Sequence, residues 1–323
     1  MNELATSEQK YVMIRTAFQT MHPFGQFIFF CCLILTGMGL ASGLGLFLVT
    51  QWTGESMLEA MASMSASDSP NGRKYNLTLN SFNQLLSFGA VAFVARYLFK
   101  GQTLVTGKMP QSFGWIAWGI VFAWCAQPII DITYRLNALC MELLPTAWVT
   151  QADLLEKMAQ TVTVSLLSFN DAWHFPATLV AVAVLPAICE ELAFRGVLQP
   201  LFARWTRSIH AGVWISALLF SAIHLQFHGF LPRMILGAGL GYLVHYSGSL
   251  WPAIVAHFLN NALAVCLAAW FGAAWVQEEM VEMGTWEWSD YLSTAFAIPL
   301  IWIGVRWMQK HVVASNQHPT TSS

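Results

Sequence analysis

The chain has 323 residues, 56% hydrophobic and only 10% charged, whereas a soluble domain carries about 25% charged residues. Fifteen Trp and 22 Phe suit aromatic belts at two bilayer interfaces, so a water-soluble class is excluded. The net charge of −2 comes with no basic stripe that would suit a nucleic acid.

About 20 apolar residues cross a bilayer. On that rule the chain order gives eight helices, near 24–49, 77–98, 113–135, 175–199, 211–227, 230–246, 250–272 and 291–308. The expected fold is all-α: a polytopic membrane protein with about eight transmembrane helices in one bundle. A cytoplasmic segment (1–20) precedes a single membrane domain (21–310), and a disordered cytoplasmic tail (311–323) follows. The first apolar run, Phe24 to Thr50, is about twice the core of a signal peptide, which favours a retained span. Gly39 and Gly43 in that run form a lone small-xxx-small pair, a weak packing signal. Ser63 to Asn71 has the composition of a flexible outer loop. The longest connection, 139–172, holds an amphipathic helix near Ala152 to Val164. The fifth and sixth spans are short enough to form a tight hairpin. All six Cys sit mostly in apolar runs, with no disulfide or zinc-knuckle spacing.

Charge alternates between successive connections. Lys10, Arg15, Arg96, Lys100, Lys108, Arg204, Arg207, Arg306 and Lys310 fall on one side. The other side carries Glu55, Glu59 and Asp68, then Glu142, Asp153, Glu156 and Asp171, then a cluster between Glu278 and Asp290. Positive charge stays inside, so both termini are expected in the cytoplasm of a bacterial inner membrane.

The chemistry-bearing residues lie in the second half. Glu190-Glu191-Leu-Ala-Phe-Arg195 sits in an apolar helix, and ionisable groups there are costly and mark function. Glu191 and Arg195 are four apart and share a face. Glu190 stands about 100° round the helix and is left free. The fifth span places Phe220 and His224 four apart, and the seventh places His257 and Asn261 four apart. A His and an Asn one turn apart make a donor pair for a developing oxyanion, or simply an interhelical hydrogen bond. Counted from the cytoplasmic helix ends, Glu190 lies about 14 Å above a break at Gln199-Pro200. On the same count His224 lies about 18 Å above Gly212, and His257 with Asn261 about 12–18 Å above Ser249. The rarest polar groups of three helices thus share a layer.

In that order, Glu190-Glu191-x-x-x-Arg195, Phe220-x-x-x-His224 and His257-x-x-x-Asn261 resemble the three motifs of the CAAX protease and bacteriocin-processing family (Abi), which includes Rce1-type CAAX prenyl endopeptidases. The resemblance covers roughly residues 175–272, and the earlier spans match only as generic membrane helices. It implies an intramembrane endopeptidase in which Glu190 and His224 activate a water, His257 and Asn261 hold the oxyanion, and Glu191, Arg195 and Phe220 support them. The implied partners are a membrane-associated protein or peptide substrate and the lipid bilayer, with no cofactor or metal. Two rival readings stay open. Glu190, His224 and His257 are zinc ligands by type, although the His-Glu-x-x-His helix motif is absent. Intramembrane Glu, Arg and His also build transporters and non-catalytic scaffolds, although a transporter favours internal repeats, and none is seen.

The charge pattern makes a direct prediction. In a cysteine-free background, Glu282→Cys should react with an impermeant thiol reagent in intact cells. Reaction only after permeabilisation would reverse the topology.

Overall fold

The computed structural model describes residues 12–13, 15–66, 69–99, 108–110, 112–169, 171–273 and 288–317. Every regular element among them is a helix, and all eight expected spans fall on helices. The first is α1 (Pro23–Thr53). A short α2 (Met57–Ser65) precedes α3, which runs as Pro70–Asn83, a π-helical stretch Gln84–Ala90, and Val91–Leu98. Next come α4 (Gly114–Glu142) and α5 (Thr146–Leu167), which contains the amphipathic helix expected near 152–164. The long α6 runs from His174 to Thr206. It is followed by α7 (Ile209–Ala222), α8 (Phe230–Ser247), α9 (Trp251–Phe271) and α10 (Trp288–Gln317). Six helices are long and apolar enough to cross a bilayer. The 14 residues of α7 reach only about 21 Å at 1.5 Å per residue, so α7 and α8 form the tight pair. The last helix continues past 310 to Gln317, and residues 318–323 lie outside the described residues, as does most of the acidic 273–290 connection.

The span α3 owes its place to a polar stripe. Asn76, Asn80 and Gln84 recur every fourth residue, so they face one way. Asn76 donates to Ser165 Oγ on α5 (3.0 Å), Asn80 to the Ala181 carbonyl of α6 (2.7 Å), and Gln84 to Glu190 of α6 (2.8 Å). With no water in the hydrocarbon core, such amides bind where a partner waits.

Proline sets the shape of α6. Pro186 has no N–H to offer the carbonyls one turn before it, and the helix there is π-wound over Leu179–Val184. The carbonyls left over find side chains: Ala181 accepts from Asn80, and Val182 accepts from Asn261 at 3.1 Å. The break expected at Gln199-Pro200 is absent, because a second π-helical stretch, Phe194–Leu198, precedes Pro200 and the helix continues through Gln199–Thr206. The Gly196 carbonyl, one turn before Pro200, accepts Arg96 Nη1 at 3.4 Å.

Two loop and packing expectations are corrected. Ser63 to Asn71 is not a slack loop: Ser69 caps α3, Pro70 opens it, and a Cβ at Gly72 would collide with the Ser63 carbonyl; residues 67–68 lie outside the described residues. In α1 the packed small-residue face is Gly37, Ala41 and Gly45, whereas Gly39 and Gly43 look into open space. A Cβ on Gly37 would stand 2.8 Å from the Leu86 carbonyl oxygen and 2.9 Å from Ser87 Cα. Backbone on backbone cannot yield as a flexible side chain does. Gly37→Ala should therefore cost about 1–3 kcal/mol in thermal unfolding of the detergent-solubilised protein, with Gly39→Ala close to wild type. Equal midpoints for the two variants would refute the α1–α3 contact.

Candidate active site

Three of the seven residues singled out from the sequence, Glu191, Arg195 and His257, meet at one carboxylate oxygen. Glu191 is fully buried, and its Oε1 accepts from Arg195 Nη1 at 2.7 Å and from His257 Nδ1 at 2.9 Å. The first partner lies one turn along the same helix and the second comes from α9. Arg195, 1% exposed, also donates through Nη2 to the Gly237 carbonyl of α8 at 2.8 Å. Its guanidinium lies over the Phe220 ring, 4.7 Å from the centroid. Gly237 permits this approach: a Cβ there would sit 3.2 Å from the Phe220 ring and 3.3 Å from Arg195 Nη2. A buried arginine needs compensation of this kind, since charge leaves water at a cost of several kcal/mol, of the order of 5, per ion.

Glu190 is kept out of that pairing. It is 5% exposed and its Oε1 accepts from Gln84 at 2.8 Å, while its Oε2 stands 3.9 Å from His257 Nε2. The His257 ring therefore lies between the two glutamates. A carboxylate only accepts, so Nδ1 carries the proton that goes to Glu191, and Nε2 is the atom presented to Glu190.

His224 is placed differently from the sequence expectation. The helix α7 ends at Ala222 rather than near 227, and His224 lies on the turn beyond it. The turn reverses at Leu225, with φ 54°. Asn137 of α4, buried, supplies the missing partners: its Nδ2 donates to the Phe227 (2.8 Å) and His228 (2.9 Å) carbonyls, and its Oδ1 accepts from the Leu231 N–H at 3.0 Å. His228 of the same turn meets Asp153 of α5 at 2.8 Å. His224 still reaches back to the Phe220 carbonyl through Nδ1 at 2.7 Å. A carbonyl only accepts, so on this histidine too Nδ1 holds the proton and Nε2 is the free atom. The Phe220 ring packs edge-on against both imidazoles, with centroids 5.1 Å from His224 and 5.9 Å from His257. Glu190 and His257 both act electrostatically on His224.

Asn261 lies one turn beyond His257 on α9, and one of its two N–H groups is spent on the Val182 carbonyl. Neighbouring Asn260 donates to Asn261 Oδ1 at 3.3 Å and accepts from Gln127 of α4 at 3.2 Å. Cys189 is buried against Gly89 of α3 and takes no part. Two contributors went unnoticed in the sequence, Gln84 and Asn137. A signal existed for the first, the four-residue polar stripe in a span otherwise read as generic. For the second none existed, because a lone Asn in a helix does not say which turn it caps. Among the described residues no group of three or more His, Cys, Asp or Glu side chains is gathered to hold a metal.

Residues 172–263 match the family model described as Type II CAAX prenyl endopeptidase Rce1-like, a region that contains all seven residues. Over 92 residues the chain is 29% identical to "Uncharacterized protein YpbD" of Bacillus subtilis (strain 168), a stretch amounting to 27% of this chain. The chain spans only 44% of that relative's length. No solved structure matches. The protein is an all-helical polytopic membrane protein whose residues 172–263 are similar to the Rce1-like family.

The shared Glu191 oxygen predicts a stability phenotype. Glu191→Gln leaves Arg195 buried without a counter-charge, and Arg195→Gln leaves Glu191 in the same position. Each should cost about 3–5 kcal/mol, read as lower yield and a lower unfolding midpoint in detergent. A wild-type midpoint for either would show that the charge is balanced elsewhere.

Proposed function

We propose, with the Rce1-like region as premise, that this protein is an intramembrane endopeptidase that hydrolyses a peptide bond of a membrane-associated substrate. The observation that carries the reading is the division of labour between adjacent glutamates. Glu191 accepts from both Arg195 and His257 through Oε1, whereas Glu190 accepts only the neutral amide of Gln84 and turns Oε2 toward His257 Nε2 across 3.9 Å. Peptide hydrolysis needs a base for water, a proton path to the leaving amine, and donors for the tetrahedral oxygen. Glu190 Oε2 takes the proton from water, and His224, with its Nε2 lone pair exposed, orients that water and relays the proton to the amine. His257 serves the oxyanion from Nε2. To do so it carries a second proton, whose charge Glu191 balances from the Nδ1 side, much as a buried carboxylate stabilises a catalytic imidazolium. The second N–H of Asn261 completes the pair.

The 3.9 Å gap between Glu190 Oε2 and His257 Nε2 also suits a second reading, in which these two groups bracket the water and His224 handles the oxyanion. The histidine substitutions separate the two. Loss of an oxyanion donor slows turnover by about 10²–10³-fold, while loss of the water-activating partner costs more.

The family description makes a prenylated C-terminal peptide the first substrate to test. We place the prenyl chain in an open apolar groove of about 380 Å³ beside the His224 turn, lined in part by Trp148, Leu155 and Phe227. We place both termini in the cytoplasm, on the charge pattern of the connections.

In purified protein, Glu190→Gln should abolish cleavage of a farnesylated Cys-aliphatic-aliphatic-X peptide while leaving the unfolding midpoint unchanged. His257→Ala should leave a residue of activity about 10²–10³-fold below wild type. Activity should survive exhaustive metal removal. Full activity of Glu190→Gln at matched protein levels would refute the assignment. Activity lost with zinc and restored by adding it back would make the enzyme a metallopeptidase.

A further inference from the structure

Gln84 lies outside the family-matched region and outside all three motifs, yet it makes the closest contact to Glu190 from another helix. Its Nε2 donates to Glu190 Oε1 at 2.8 Å, and the side chain is 93% buried, from a relative exposure of 7%. The orientation of the amide is fixed by chemistry: an ionised carboxylate accepts and never donates, so the NH₂ end must face Glu190. The other end, Oε1, is fully buried and has no hydrogen-bond partner among the described residues. A buried acceptor without a donor costs about 1–3 kcal/mol, and such orphans in native structures call for an explanation.

The surrounding backbone holds this amide in place. Gln84 opens the π-helical stretch of α3, and π-bulges recur at functional sites because they re-aim side chains. The stretch is clamped from two sides. Gly37 of α1 abuts Leu86 and Ser87, and a Cβ on Gly89 would lie 3.0 Å from Cys189 Sγ, one residue before Glu190. Gln84 therefore has little freedom to withdraw from Glu190 or to turn its oxygen elsewhere.

We infer that Gln84 is a positioning residue for the catalytic carboxylate: its N–H holds Glu190 Oε1, so that Oε2 is the oxygen turned to the water. The unpaired Oε1 is the cost of holding the amide in this orientation. This rests on the endopeptidase reading, and it gives α3 a part in the site.

The experiment uses full-length protein in detergent and a quenched fluorogenic farnesylated peptide. Gln84→Met, which removes both ends of the amide, should lower kcat by about 10- to 100-fold, as for one hydrogen bond to a charged group. Gln84→Asn, which keeps the amide but withdraws it by one methylene, should show the same loss and covers a Met variant that fails to fold. Independently of any substrate, the infrared carboxylate band assigned by its loss in Glu190→Gln should shift in either Gln84 variant. Wild-type kcat with an unmoved band would overturn the inference while leaving the peptidase reading intact. A wild-type protein that leaves the peptide whole, or a Glu190→Gln variant that cleaves it, would instead overturn the reading on which the inference rests.

Discussion

One oxygen atom, Oε1 of Glu191, organises the centre of this molecule. It draws Arg195 down its own helix and His257 across from α9, and each of those carries further structure with it. Arg195 binds the Gly237 carbonyl of α8 and lies over Phe220 of α7, so four helices are referred to a single carboxylate. In lipid, helices gain no hydrophobic drive to associate, and packing with polar contacts takes its place. A buried charge that must be met from several directions therefore specifies an arrangement as well as stabilising one. The same atom frees Glu190: with Arg195 and His257 Nδ1 already engaged, the adjacent glutamate is available for other work.

A second rule recurs through the bundle. At Pro186, at Pro200 and after α7, where the helical ladder is interrupted, a side chain from another helix fills the gap. Pro186 releases carbonyls that Asn80 and Asn261 take up, and the Gly196 carbonyl ahead of Pro200 receives Arg96. The reversal after α7 is bridged by Asn137. Irregular backbone at membrane depth survives only where protein covers it. The irregular places here are also the places where Glu190 and His224 are presented, so the interruptions shape the site.

Much of this was legible in the sequence, for reasons that can be named. Long apolar runs fix the existence of spans, because hydrocarbon thickness sets their length. The four-residue spacing of Glu191 and Arg195 dictates a shared face, and the structure pairs them. Counting along three helices put Glu190, His224, His257 and Asn261 in one layer; the structure brings Glu190 within 3.9 Å of His257 and packs Phe220 against both imidazoles, although the Gln199-Pro200 break used for the count is absent. The end of α7 was not legible: nothing local to Ile223 or Leu225 stops a helix, and the cause is Asn137, 90 residues earlier in its bond to Phe227. The His257–Glu191 bond was equally hidden, since spacing on one helix says nothing about which glutamate a second helix will meet. Gly39 and Gly43 misled because a small-residue pair shows that close approach is possible on a face, not that a neighbour is there.

The order of the capping residues along the chain has a consequence for biogenesis. Membrane proteins are made from the N-terminus, and the irregular backbone of α6 and of the His224 turn emerges after α3 and α4. Asn80 and Asn137 therefore already stand in the bilayer when the carbonyls of Ala181, Phe227 and His228 arrive to be capped. Val182 is the exception among these, since its donor Asn261 is synthesised 79 residues later. Its carbonyl must find an interim partner or stay near the interface until α9 inserts. Insertion of α9, which also delivers His257 to Glu191, is then the step that both completes the hydrogen bonding of α6 and assembles the carboxylate–histidine cluster, so a chain halted before it lacks the two together.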